Sequence, residues 1–144
     1  DCEEEYLNDL RVCWQDKYDP KFKTNIDVFD YDTEADYRKS LINNWQETYD
    51  PQHRFNSFQF ERFTTVDDYL VELNDRINWI KKCDPDGVYN KIDPSKYDNM
   101  FQYQHVFDLR KAWKNKYDPN NEHTNIDPCD YSRVEEYHKA IMDD

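Results

Sequence analysis

Asp84, Asp86 and Asp93 stand close together in the segment DPDGVYNKID, the best-spaced set of side-chain oxygens in the chain. Carboxylates gathered in one loop suit a hard divalent cation, since calcium takes six to eight oxygen ligands. A second segment, DPNNEHTNID from Asp118, sets Asp118, Asn120 and Glu122 at alternate positions. The equivalent places after Asp19 and Asp50 hold Lys21 and Lys23, or Gln52 and Arg54, where a calcium loop needs ligands. The other chemistry-bearing residues are scattered. His53, His105, His123 and His138 show no HExxH spacing, and the single glycine, Gly87, excludes a glycine-rich phosphate loop. No serine sits in a nucleophile elbow. The chain is therefore read as non-enzymatic, with no catalytic residues and no cofactor other than a candidate calcium ion.

The segment from Asp84 resembles the start of an EF-hand loop, with two aspartates, a glycine and a following isoleucine. That resemblance implies calcium binding over 84–93, with Asp84, Asp86 and Asp93 as ligands. The departures are specific. Gly87 stands at the fourth place of the loop, and the twelfth place, a glutamate in the family pattern, is Ser95 here and Cys129 in the later copy. The competing reading makes the aspartate a turn starter and the proline a helix stop.

Cys2, Cys13, Cys83 and Cys129 contain no Cys-x-x-Cys pair, which argues against a zinc knuckle or a thioredoxin-like motif. The even count suggests disulfides, and four cysteines allow three pairings. Cys2–Cys13 requires a helix that starts near Glu5, because eleven residues of unbroken helix separate two positions by about 16 Å. Cys83–Cys129 would staple neighbouring segments. With the missing initiator methionine, these features lead us to expect a processed, secreted or extracellular protein, the alternative being a cytoplasmic one with unpaired thiols.

The elements that must position these residues follow from a repeat. WQDKYDP, WQETYDP, WIKKCDP and WKNKYDP contain all four tryptophans, Trp14, Trp45, Trp79 and Trp113. A tyrosine recurs ahead of each, and Tyr6, Tyr37, Tyr69, Tyr103 and Tyr137 are 31, 32, 34 and 34 residues apart. A fixed period with aromatic anchors is the signature of a repeat architecture. Tyr37, Leu41, Trp45 and Tyr49 are spaced by four, as are Tyr6, Leu10, Trp14 and Tyr18, which places each set on one helix face. Asp-Pro ends each helix, because proline clashes with the preceding turn. Thr33, Thr65 and Ser132 read as caps. The predicted helices run roughly over 2–17, 33–48, 65–82 and 98–116, with a fifth from 132. Pro94 and Pro128 suit the first position of a short helical turn between them. The SFQFERF segment fits either such a turn or an extended stretch.

The expected fold is all-α: tandem helical repeats of about 31–34 residues, each one long helix plus a structured loop or short helical turn, stacked into a compact bundle or short solenoid. One repeat domain covers 1–144, with units at about 1–32, 33–64, 65–97 and 98–131 and a terminal helix at 132–144. The structural anchors are the four tryptophans with Tyr37, Tyr69, Tyr103 and Tyr137.

With 19 Lys and Arg against 32 Asp and Glu, the net charge is -13. Such a surface repels nucleic acid and anionic lipid, and no apolar run is long enough to insert in a membrane. The expectation is a binding protein with a protein partner, a basic one by charge. Calcium binding at 84–93 and a structural extracellular role are the alternatives. Residues that break the repeat on or near loops, Phe22, Phe55, Arg62, Tyr89 and His123, are the candidate binding surface.

Overall fold

A computed structural model of the chain describes residues 2–144, with side chains from residue 4 onward. It is all-helical. Five α-helices follow in order: α1 (Cys2–Tyr18), α2 (Glu34–Tyr49), α3 (Val66–Cys83), α4 (Met100–Tyr117) and α5 (Val134–Asp143). A short 3-10 turn separates each successive pair: Val28–Asp30, Phe60–Arg62, Pro94–Lys96 and Pro128–Asp130. Among the described residues no helix is long and apolar enough to cross a membrane.

Local chemistry sets these limits. The Thr33 side chain accepts the Asp36 amide at 3.1 Å and starts α2. At the start of α3, Asp68 reaches back and accepts the amides of Thr64 and Thr65. Asn99 accepts the Gln102 amide, while Gln102 reaches back to accept that of Asp98. Ser132 is not a cap: Arg133 takes that place in α5 without a side-chain bond. Three of the 3-10 turns are started by an aspartate, Asp27, Asp93 or Asp127, whose carboxylate accepts an amide two residues on. Gln59 stands there in the second turn and makes no such bond. That turn is held instead by aromatic packing, with Phe58, Phe60 and Phe63 each 5.7–6.2 Å from the Tyr69 ring.

The chain divides into two compact units, Asp1–Asn74 and Asp75–Asp144, with the boundary inside α3. In the first unit the core holds Tyr37, Leu41, Trp45, Phe63, Tyr69 and Leu73, all buried. In the second, one cluster gathers Trp79, Tyr89, Ile92 and Tyr103, and another Trp113, Tyr137 and Ile141.

One packing relation recurs within the units. Trp45 stacks on Tyr69, Trp79 on Tyr103 and Trp113 on Tyr137, at centroid distances of 6.2, 6.2 and 6.3 Å. The tryptophan of one helix thus covers the tyrosine of the next. A second aromatic from the intervening 3-10 turn closes on the same tyrosine: Phe63 on Tyr69, Tyr97 on Tyr103 and Tyr131 on Tyr137.

The expected disulfides are absent. Cys13, Cys83 and Cys129 are free thiols. The Cys2 side chain lies outside the described residues, but α1 is helical from Cys2 onward, and an unbroken helix holds positions 2 and 13 about 16 Å apart. Cys83 and Cys129 instead pack as small apolar groups against the Trp79–Tyr103 cluster. Burial, reinforced by the Asp127 carboxylate, pushes the Cys129 thiol up to about 12.

Candidate functional site

The Asp-Pro turns are built alike. Each long helix from α1 to α4 ends one residue before an aspartate that is itself buried: Asp19, Asp50, Asp84 or Asp118. Proline follows and stops the helix. The aspartate carboxylate then folds over the turn and accepts amides four and five residues on. Asp50 takes Arg54 and Phe55, Asp84 takes Val88 and Tyr89, and Asp118 takes Glu122 and His123. Asp19 takes Lys23 and Thr24, together with the Thr24 hydroxyl at 2.8 Å. Burial alone would raise the Asp118 carboxyl, but the Glu122 amide, the Lys114 ammonium and the His123 amide outweigh it and hold the group below the usual carboxylate range.

The oxygens read as calcium ligands have partners within the chain or face solvent. The Asp84 carboxylate, 2% exposed, is committed to two backbone amides. Asp93 caps the third 3-10 turn and accepts from the Ser95 amide and hydroxyl, while Asp86 is exposed. Among the described residues no three His, Cys, Asp or Glu side chains gather to hold a metal ion. The spacing that suggested ligands belongs to a turn.

The same geometry fixes the backbone at the third residue after each aspartate. Its amide donates to the aspartate carbonyl, and its φ is positive: Phe22 (52°), His53 (55°), Gly87 (68°) and Asn121 (55°). Glycine enters this left-handed region freely and asparagine tolerates it, whereas a bulky residue there is an outlier. Phe22 is also 73% exposed, so its ring recovers little burial. On either side of it, Lys21 is exposed and Lys23 pairs with Asp67 at 2.6 Å.

The other candidate surface residues take different places. Phe55 and Tyr89 occupy the fifth position after their aspartates and are buried, so they contribute to the core rather than the surface. His123, at the equivalent place, is half-buried and its Nδ1 lies 2.7 Å from Asp144. Arg62 is exposed on the second 3-10 turn. Buried Phe55 and Tyr89 therefore offer no side chain to an exposed patch.

Two grooves lie in the same register of the two units. The first, about 730 Å³, is lined by Tyr18, Arg38, Lys39, Ile42 and Phe60. The second, about 400 Å³, is lined by Tyr117, His138, Lys139 and Met142. A tyrosine floors each, with Arg38 above Tyr18 at 5.2 Å and His138 stacked on Tyr117 at 4.1 Å.

Sequence reasoning missed the arginine three residues before the tryptophan. Arg11 donates to the Tyr31 carbonyl at 2.8 Å, and Arg76 to the Tyr97 carbonyl at 3.2 Å. Arg76 and Arg110 also lie 4.0 Å over the Trp79 and Trp113 rings. On α2 the position three residues before Trp45 is Ile42, and Arg38, one turn earlier, donates to the Phe63 carbonyl at 3.1 Å. The recurrence of Arg11, Arg76 and Arg110 was the available signal.

Comparison with protein-family models, with curated proteins and with solved structures returns no match.

Proposed function

We propose that the protein is a non-enzymatic, acidic helical repeat protein that binds a protein partner with a basic surface. Its helix–turn units stack as a tandem array, each turn fixed by its aspartate. The observation that carries the reading is Phe22: a large aromatic ring held in a left-handed backbone conformation and turned to solvent. Strain of this kind, on a residue that contributes little packing, marks a functional position. Exposed aromatics are the usual anchors of protein interfaces. The net charge of -13 favours a basic partner and speeds its encounter. Three free thiols remove the support that paired cysteines gave to an extracellular location, and the binding proposal does not depend on compartment.

The test is peptide-display selection on the immobilised chain at 0.15 M salt, repeated with Phe22→Gly. Enrichment of Lys- and Arg-containing peptides that bind the parent and not the variant is expected. Peptides that bind both equally, or no enrichment at all, overturn the reading.

A further inference from the structure

The two grooves share a register but not a charge. Tyr18, 4% exposed, floors the first, with Ala35, Ile42 and Phe60 beside it. Arg38 is fixed there. Its guanidinium lies over the Tyr18 ring and donates to the Glu61 and Phe63 carbonyls, and its Nε is buried without a partner among the described residues. Lys39 lines the same groove and is exposed. Among the described residues neither cation has a carboxylate within ion-pair distance. Two acids also line the groove. Glu34 accepts the Tyr18 hydroxyl and lies 3.8 Å from Lys17, while Glu61 is exposed. Two unpaired cations thus face one solvated carboxylate, in a chain of net charge -13. The second groove reverses the balance: Glu135 stands where the first has Ala35, His138 replaces Arg38, and Asp143 joins the lining beside Lys139. The first groove has residues of α3 after it within its unit, and the second has residues of α3 before it within its own, so a repeat on either side leaves this place open.

We propose that the first groove binds a small amphipathic anion, a flat ring-containing body that carries one carboxylate or sulfonate. A groove of about 730 Å³ is the size that drug-sized ligands fill, and such sites are mostly apolar with a few placed polar groups. Ile42 and Phe60 supply apolar contact, and the Phe60 ring and the planar Arg38 guanidinium supply flat faces. The anionic group belongs at Arg38 and Lys39, where charge-assisted hydrogen bonds are strongest. Arg38 is positioned in advance by the Tyr18 ring and two carbonyls, so little ordering is left for binding to supply. The sign of the ligand follows from this local charge and runs against that of the whole chain. The proposal rests neither on Phe22 nor on a protein partner.

The probe is anilinonaphthalene sulfonate, and its control is N-phenylnaphthylamine, the same body without the anion. Each is titrated into the full-length, isotope-labelled protein and followed by dye fluorescence and backbone amide shifts. One site for the sulfonate is expected, with a Kd of about 10–100 μM. Its shifts should fall at Tyr18, over 34–42 and at 60–61, and leave 134–142 unmoved. The uncharged control should bind at least about tenfold more weakly. Lys39→Glu, at an exposed position, should weaken the sulfonate at least about tenfold and leave the control unchanged. Ala35→Trp, also exposed, should block both dyes by filling the groove. Far-ultraviolet circular dichroism of both variants should match the parent, and the comparison of the two dyes on the parent needs neither variant. No shifts at about 1 mM sulfonate, shifts elsewhere in the chain, equal affinity for the two dyes, or sulfonate binding indifferent to Lys39→Glu would each overturn the proposal.

Discussion

Trp45 on α2 stacks on Tyr69 of α3 with ring centroids 6.2 Å apart and planes 20° from parallel, and neither ring reaches solvent. Trp45→Ala removes both the buried area and the ring contact. The expected cost is about 3–5 kcal/mol, the range for large aromatic truncations in cores. Trp14, half-buried on α1, should cost about half as much. Urea unfolding of the two variants checks the order.

Asp84→Ala should be far more damaging than Asp86→Ala. The first leaves the amides of Val88 and Tyr89 without their acceptor, at about 2–4 kcal/mol. The second changes an exposed side chain and should stay within about 0.5 kcal/mol. Calcium at 1 mM would add about 2.7 kcal/mol if a site with a Kd of about 10 μM existed. An unchanged urea midpoint is expected.

Position three of the turn separates backbone strain from packing. A Cβ added at Gly87 meets no atom within 4 Å, so Gly87→Ala should cost about 1 kcal/mol for conformation alone. Phe22→Gly should gain about as much, since it relieves the same strain. Thermal melts of the pair should move in opposite directions.

Burial, followed by the nearby aspartate of the preceding turn, pushes Tyr37, Tyr69 and Tyr137 up to about 12. A raised folded value means that the stability contribution is complete below the unfolded value near 10 and is lost as pH climbs through 12. Absorbance at 295 nm should show these tyrosines ionising late, together with loss of helix. The hydroxyls of Tyr37, Tyr69 and Tyr137 find no hydrogen-bond partner among the described residues. Tyr37→Phe should therefore cost less than about 0.5 kcal/mol.

The thiols should divide by environment. Cys13 is exposed on α1, whereas burial raises the Cys83 and Cys129 thiols. In a Cys2→Ser background at pH 8, Cys13 should react with a disulfide reagent at least about 100-fold faster than Cys129. Equal rates, or no reaction without reductant, would contradict the free-thiol arrangement.

The helices were readable because apolar spacing and Asp-Pro stops are local signals. Predicted ends fall within two residues of the observed ones in α1 to α4. The short turns at Pro94 and Pro128 were readable for the same reason, since proline presets their first residue. The second turn was ambiguous, because Phe58 and Phe60 alternate as a strand would and only their packing on Tyr69 decides for a turn. The thiols were misread because an even cysteine count carries no geometry. Two of the candidate surface residues, Phe55 and Tyr89, are buried for a related reason. Phe55 and Tyr89 break the repeat pattern, yet the fold of the aspartate over its turn carries the fifth position inward. Left-handed φ at Phe22 was invisible, since nothing in PKFKT announces it.

Each tryptophan that stacks on a tyrosine is separated from it by the same 24 residues: 45 to 69, 79 to 103 and 113 to 137. Loop-closure entropy is then nearly equal for the three contacts, and it grows only with the logarithm of the separation. Folding can begin at any of the three without a kinetic preference imposed by chain length. Adding further units to such a chain would lower its relative contact order and leave the rate of forming each contact unchanged.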